Sequence, residues 1–142
     1  MMKMLPIMMF IAVSLSLTAC GQSKTQKTET IKKTQNMDTN KLTNETVKAA
    51  FDAWQNGDSK TFLSYFTADA TMTDDGSSRN FQSFVKEACG VEVFLTIDTV
   101  GNDGKDIKGN FKAGHWGTFP VFFKFHQNAD GKFDRLDIGQ AN

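Results

Sequence analysis

The period of the apolar residues changes once along the chain, at Gly90. Before this glycine, apolar side chains recur every three or four residues in three segments, and the first segment carries Val47, Ala50, Phe51 and Trp54. This spacing is typical of amphipathic helices. After Gly90, apolar and polar residues alternate, as they do in strands that have one buried face. The chain therefore predicts three helices followed by four antiparallel strands, an α+β domain with the helices packed on one side of a curved sheet.

Capping residues and turns give the expected boundaries. The helices should begin at Thr43 or Asn44, at Asp58 or Ser59, and near Asn80. The strands after the third helix should cover residues 91–98, 105–116, 119–125 and 133–138, and a brief strand at 70–74 should precede that helix. In the first of the four, the alternation places Val91, Val93, Leu95 and Ile97 on the buried face.

The outer face of the predicted sheet carries large rings beside charged residues. Phe94, Trp116 and Phe122 share this face, and His126 points to the same side. Exposed rings on a curved sheet often mark a surface that binds a partner. A homodimer through this face is one arrangement that the sequence permits.

The beginning of the chain has the form of an export signal. Lys3 precedes an apolar run over residues 4–17, which is too short for a stable membrane span but suits the core of a signal peptide. The run ends in the letters LTAC at residues 17–20, which resemble the lipobox of bacterial lipoproteins. This resemblance implies that residues 1–19 are a signal peptide, removed in the mature protein, and that Cys20 carries acyl chains such as palmitate. The alternative is an ordinary secretory signal with a chance cysteine.

The segment after the signal is almost entirely polar. Residues 20–41 are expected to form the lipidated cysteine and a flexible tether, because they contain too little apolar surface to offset the entropy of ordering. Lysines in this tether either touch anionic lipid head groups or belong to a solvated spacer. The domain itself is expected over residues 42–142. We expect it to lie outside the cytoplasm, held to a membrane of the bacterial cell envelope by the lipid at Cys20.

Charge and motif content exclude several classes of function. The chain has 16 Lys and Arg against 16 Asp and Glu, so no basic surplus favours nucleic-acid binding. It has no phosphate loop, dinucleotide fingerprint or nucleophile elbow. Its two histidines are predicted on different strand faces, without carboxylates at ligand spacing. We therefore expect neither a metal nor an organic cofactor, and we expect Cys89 to be a buried free thiol.

The order of the elements, with three short motifs, resembles the nuclear transport factor 2-like superfamily, in particular its SnoaL-like branch. The motifs are AFDAWQNGD at residues 50–58, FTADA at 66–70 and DGKFDRLDI at 130–138, in which Phe133 replaces a more usual Ile. The resemblance covers about residues 43–140. It implies a cone-shaped fold, in which a strongly bent sheet wraps over three helices and leaves a pocket at the wide end. It does not imply one activity, because the superfamily includes isomerases, cyclases, hydrolases and binding modules.

Side chains predicted to point into the cone are the candidate site residues. His115 shares the parity of Ile107 on its predicted strand, provided that Gly114 makes no bulge, and Asp74 shares the parity of the inward Met72. Such a pair could transfer protons. His115 could equally be a polar residue at a strand end, and Asp74 a carboxylate that accepts hydrogen bonds in a turn.

Two aromatic residues are candidates for the wall of the same pocket. Trp54 and Tyr65 could close it, and Tyr65 would add a hydroxyl. The alternative for Trp54 is that it completes the buried stripe of the first helix.

Two functions follow from these expectations. The first is a lipid-anchored module that binds a small apolar ligand or a protein partner. The second is a small cofactor-independent enzyme, of the isomerase, cyclase or hydrolase type, with His115 as base and Asp74 orienting it. The aromatic interior contains few converging polar groups, which favours the binding module and leaves catalysis undecided.

Overall fold

The computed structural model of the chain describes residues 37–142. The predicted signal peptide, the lipid site at Cys20 and the tether up to residue 36 lie outside the described residues. The last residues before the predicted domain make contacts with it. Met37 packs against the core, and Thr39–Lys41 form a 3-10 turn from which Lys41 Nζ donates a 2.9 Å hydrogen bond to the carbonyl of Ile97.

Three α-helices begin where side chains can cap them. Helix α1 is Glu45–Gln55, α2 is Ser59–Ser64 and α3 is Phe81–Ala88. The side chains of Asn44, Asp58 and Asn80 accept hydrogen bonds from main-chain N–H groups in the first turns of these helices, which confirms the predicted starts. None of the helices in residues 37–142 has the length and apolar composition needed to span a bilayer.

Seven strands within residues 37–142 form one sheet. They are β1 Phe66–Asp74, β2 Ser77–Arg79, β3 Val93–Phe94, β4 Thr99–Gly101, β5 Asp106–Lys112, β6 Thr118–Gln127 and β7 Phe133–Gln140. The spatial order is β2-β1-β7-β6-β5-β3, with β4 also paired to β5. The β1–β7 pair is parallel, and the other pairs are antiparallel. The predicted α+β class, with three helices on a curved sheet, is confirmed.

The core between the helices and the sheet is built from aromatic rings. Trp54 lies at its centre, 1% exposed, with the rings of Phe62, Phe84 and Phe123 at 5.1, 5.6 and 5.4 Å. The prediction that alternate residues of β6 face inward is confirmed, because Val121, Phe123 and Phe125 are buried. Rings at these separations contribute dispersion and edge-to-face attraction in addition to apolar burial.

The predicted strand over residues 91–98 was wrong in its extent and in the faces that it gave to Val91, Phe94 and Leu95, whereas Ile97 is buried as predicted. Only Val93–Phe94 is a strand, and the N–H groups of Leu95 and Thr96 both point at the carbonyl of Asn110, at 2.7 and 3.4 Å. The two-to-one pairing breaks the alternation, as a bulge does. Phe94 and Ile97 are therefore buried, whereas Val91 and Leu95 are 61% and 45% exposed. Phe94 belongs to the core and not to the outer face.

The bulge depends on a glycine in the neighbouring strand. The carbonyl of Thr96 lies directly over Gly109 in β5, where a Cβ would approach its oxygen to 2.0 Å. Because only a residue without a side chain leaves room for this close approach, Gly109 permits the shift in register between β3 and β4.

The predicted strand over residues 105–116 ends early. Strand β5 stops at Lys112, and Gly114, with a φ of 55°, opens a 3-10 turn over Gly114–Trp116. A positive φ turns the chain out of the sheet, so strand parity does not apply to His115 and Trp116. Both side chains are exposed, and Trp116 is 74% exposed.

The outer face of the sheet carries a hydrogen-bonded network around Asp137. Its carboxylate accepts from Thr73 Oγ1 at 2.6 Å and Arg135 Nε at 2.8 Å, and His126 Nε2 lies 2.7 Å away. The prediction that His126 is on the outer face is confirmed. Burial raises the pKa of Asp137, but the bonds from Thr73, Arg135 and His126 outweigh it, and its pKa lies below the ordinary value.

Candidate functional site

A cavity of about 270 Å³ opens between the inner face of the sheet and α3. We call it the inner cavity. Its apolar lining comes from one helix and three strands with the turn after β5, in the form of Phe84, Phe111, Ala113, Phe119, Val121 and Ile138, and charged and polar groups line a similar share of the cavity. The strand residues reach it because alternate side chains of β5, β6 and β7 point to the inner face.

A hairpin supplies two charged groups to the mouth of the inner cavity. Asp75 and Gly76 turn β1 into β2, and the register pairs Met72 with Arg79, so that Arg79 and Asp74 share one face. Arg79 Nη1 and Asp74 Oδ2 form an ion pair at 2.7 Å, and the guanidinium lies 4.9 Å from the centre of the Phe84 ring. The Arg79 charge is therefore already balanced within the hairpin.

Glu92 is the second carboxylate at the cavity, and its main chain is held on both sides. Its N–H donates a 2.8 Å hydrogen bond to the carbonyl of Ala88 at the end of α3, and its carbonyl accepts one of 2.7 Å from Trp54 Nε1. Its carboxylate lines the inner cavity and makes no hydrogen bond with any group in residues 37–142. These bonds fix the main chain from which this half-buried, unpaired carboxylate extends.

The electrostatic environment disfavours the charged form of Glu92. Burial has the largest effect and raises the pKa of its carboxyl above the ordinary value. The nearby Asp74 raises this pKa further, whereas Arg79 and His115 lower it. Arg79, Asp74 and His115 are therefore all close enough to Glu92 for their charges to act on its carboxyl.

The predicted site residues occupy three different surroundings. Asp74 lines the inner cavity, where it pairs with Arg79. His115 is exposed on the turn next to Glu92, outside the cavity lining, and makes no hydrogen bond to Asp74. Trp54 lies in the core, because its ring completes the buried stripe of α1.

Tyr65 is remote from the inner cavity. It follows α2 as the residue before β1 and is half-buried, and its carbonyl accepts a hydrogen bond from the N–H of Phe133. The structure therefore brings Asp74 to the cavity and His115 beside it, but it brings neither Tyr65 nor Trp54 to the lining.

Sequence reasoning did not identify Arg79 and Glu92 as site residues. For Arg79, a signal was present: a hairpin turning at Asp75 and Gly76 places Arg79 on the face of Asp74. For Glu92, the alternation pattern predicted the outer face of the sheet, because it assumed a regular strand where the chain has a bulge.

A larger cavity, about 400 Å³, lies on the outer face. Its lining includes Phe122, Lys108 and Lys124, with residues 140–142 along one side. Lys108 Nζ donates a 2.8 Å hydrogen bond to the carbonyl of Asn142, and Lys124 Nζ lies 5.1 Å from the centre of the Phe122 ring. Both lysines thus have partners, and we take the smaller cavity as the candidate site because an unpaired titratable group faces it. Within residues 37–142, no three His, Cys, Asp or Glu side chains are grouped as they would be to hold a metal ion.

Comparison with known proteins identifies the fold of the chain. No family model and no curated protein matches the chain. Among solved structures, it is similar to a nuclear transport factor 2-like protein from Cytophaga hutchinsonii, with a TM-score of 0.56 and 11% identity over 70% of this chain and 89% of that one.

Two further solved structures have names that describe a ligand or a reaction. The chain is similar to the epoxide hydrolase/cyclase-like enzyme SalBIII of salinomycin pyran ring formation, with a TM-score of 0.52 and 17% identity over 68% of this chain and 88% of that one. It is also similar to the Orange Carotenoid Protein of Anabaena, solved with canthaxanthin, with a TM-score of 0.52 and 17% identity over 67% of this chain and 35% of that one. The chain therefore has the nuclear transport factor 2-like fold, in the cone-shaped form of the SnoaL-like proteins.

Proposed function

We propose that the chain is a lipoprotein, anchored to a membrane of the bacterial cell envelope through Cys20, whose domain binds a small and largely apolar ligand in the inner cavity. The observation that carries the binding function is the cavity itself, which has six apolar wall residues and a charged mouth. Apolar walls with a few placed polar groups are the usual composition of a small-molecule site.

The size of the inner cavity limits the ligand. Its volume of about 270 Å³ lies just below the range of roughly 300–1,000 Å³ that holds drug-sized molecules. A compact ligand fits this space better than an extended chain does. Canthaxanthin in the Orange Carotenoid Protein gives precedent for an apolar ligand bound to a protein that contains this fold.

Filling the inner cavity tests the binding function. We would purify the full chain from membranes, extract it with organic solvent and compare the small molecules by mass spectrometry with those from Ala113→Leu, which places a larger side chain in the cavity wall. Gly101→Ala is a matched control, because a Cβ there meets nothing within 4 Å. A compound present with the parent chain and the control but depleted in Ala113→Leu is the expected result. Identical extracts from all three would contradict the proposal.

The lipid anchor rests on the signal-like start and the LTAC letters at residues 17–20. It is tested by growing cells with an alkyne-tagged palmitate. We expect the label, and the recovery of the chain in the membrane fraction, to be lost in Cys20→Ser. Cys89→Ser is a matched control, because Cys89 is the chain's only other cysteine and should leave both unchanged. Equal labelling of Cys20→Ser and the parent chain would refute attachment at Cys20.

Catalysis by proton transfer is a second candidate function, and Glu92 is the observation that favours it. An unpaired carboxylate with a raised pKa beside apolar walls has the properties of a general base. In this version Glu92 replaces His115 as the base, because the imidazole is exposed and Asp74 is paired with Arg79.

Isotope exchange tests this second candidate. In deuterium oxide, the chain should catalyse exchange of the hydrogens next to the carbonyl of cyclohexanone, and Glu92→Gln should abolish it. Equal exchange rates with and without the Glu92 carboxylate would remove the catalytic version.

A further inference from the structure

The charges at the inner cavity define the chemistry of the ligand more closely. We infer that the inner cavity selects a molecule with a cationic amino group on a compact apolar body, and that the Glu92 carboxylate binds its ammonium group. This inference rests on the proposed binding function. It adds the charge of the ligand to the apolar character already argued.

The charged groups that line the inner cavity do not balance. They are three carboxylates, Asp74, Asp75 and Glu92, and one guanidinium, that of Arg79. Arg79 is committed to Asp74 at 2.7 Å, and Asp75 Oδ1 accepts a 2.8 Å hydrogen bond from the N–H of Gln140. Of these three carboxylates, Glu92 is left without a partner in residues 37–142.

The main chain of Glu92 is fixed, because its N–H and its carbonyl are both bound, to Ala88 and to Trp54. The side chain therefore starts from a fixed point at the cavity. An unpaired carboxylate next to apolar walls loses hydration that nothing replaces. A ligand ammonium would supply an opposite charge and up to three hydrogen-bond donors, and such charge-assisted bonds are the strong ones.

Aromatic rings at the mouth favour the same sign of charge. A cation is attracted to the face of an aromatic ring, and the Arg79 guanidinium already lies over the ring of Phe84. Trp116 lines the same cavity with 74% of its surface exposed, which leaves an indole ring available to a ligand cation.

An anionic ligand would meet unfavourable charges at this mouth. To reach Arg79 it would have to displace Asp74 from a 2.7 Å ion pair, and it would then lie near the Glu92 carboxylate. Repulsion of this kind gives selectivity against the wrong partner. His115 lies on the turn beside this mouth, but its side chain is exposed and its ring lies 4.8 Å from that of Trp116.

Three probes that share one apolar body test the inference. They are aminoadamantane, adamantanol and adamantane carboxylate, which are cationic, neutral and anionic at neutral pH. Binding to the full chain in a non-ionic detergent would be followed by the emission of Trp116, with Trp116→Phe as the blank. We expect the amine to bind about tenfold more tightly than the alcohol and the carboxylate to bind least, and we expect added salt to weaken only the amine.

Glu92→Gln should remove the preference for the amine over adamantanol. Glu87→Gln is the matched control, because it makes the same change at an exposed position of α3 and should preserve the preference. Equal affinities of the parent chain for amine and alcohol would overturn the inference and leave the proposed apolar site standing. Failure of all three probes to bind would overturn both. The salt dependence is measured on the parent chain, so the test does not depend on the folding of a variant.

Discussion

The indole Nε1 of Trp54 donates a 2.7 Å hydrogen bond to the main-chain carbonyl of Glu92. One end of this bond is the centre of the aromatic core, and the other is the residue whose carboxylate faces the inner cavity. The packing of α1 therefore helps to hold the main chain that carries the unpaired carboxylate.

Trp54→Phe should destabilise the domain by at least about 1–3 kcal/mol, because the Glu92 carbonyl loses its hydrogen bond and the smaller ring leaves space in the core. Urea unfolding measures the loss. Trp116→Phe makes the same change at a residue that is 74% exposed, and it should alter stability by no more than about 0.5 kcal/mol. Similar losses for the two variants would contradict a structural role for this bond.

Glu92→Gln should stabilise the domain at neutral pH, because its carboxyl has a raised pKa and the folded state disfavours its charged form. The gain should not exceed about 1 kcal/mol, since solvent screens a half-buried group. The penalty exists above the folded-state pKa and is absent below the unfolded value of roughly 4.3, so the gain should vanish as the pH falls. Thermal unfolding between neutral pH and pH 4, with Glu87→Gln as the reference, measures how this stability difference changes with pH. A stabilisation by Glu92→Gln that increases as the pH falls would contradict the prediction.

Gly109→Ala should be strongly destabilising, by about 3 kcal/mol or more, because the new Cβ would approach the oxygen of Thr96 to 2.0 Å. Gly101→Ala, in β4, meets nothing within 4 Å and is the matched control. The free energies of unfolding in urea should distinguish Gly109→Ala from Gly101→Ala. A Gly109→Ala chain as stable as the control would show that the bulge can move at little cost.

Asp137→Asn should cost about 1–2 kcal/mol at neutral pH, because the hydrogen bonds from Thr73, Arg135 and His126 favour the ionised carboxylate. A lowered pKa contributes stability above the unfolded value of roughly 3.9 and loses it as the pH falls through the folded-state value. The difference from the parent chain should therefore shrink in acid. Asp134→Asn, an exposed position of β7, supplies the baseline, and a loss independent of pH would contradict the role of the charge.

Cys89 should be unreactive in the folded chain. Burial, with the nearby charge of Asp58, raises the pKa of its thiol to about 11, and its Sγ lies 3.6 Å from the carbonyl oxygen of Trp54. A disulfide reagent should modify it only when urea unfolds the domain. The Cys89→Ser chain gives the background. Rapid modification without urea would show that the thiol is accessible.

Local sequence signals predicted the parts of the fold that local interactions determine. The helix starts could be predicted at Asn44, Asp58 and Asn80, because a capping side chain acts within three residues of its own position. The helical stripe around Trp54 and the alternation in β6 likewise depend on periodicity, and both led to the correct class of fold.

The candidate site depends on irregular backbone, which periodicity does not report. The bulge opposite Gly109 changes which residues of 91–98 face the core, and the positive φ of Gly114 removes His115 from the strand. The main chain of Glu92 is held at the cavity partly by Trp54 of α1, which is 38 residues away in sequence. Hence Asp74, which lies in a regular strand, was placed at the cavity, whereas Glu92 was not.

Strand β7 is the last strand in the chain, yet it lies inside the sheet, between β1 and β6. A nascent chain consequently carries the two flanks of its sheet before it has the strand that joins them. The parallel pairing of β1 with β7 also connects residues whose separation in sequence is large, which slows folding. The sheet of this domain can therefore close only after β7 has been synthesised.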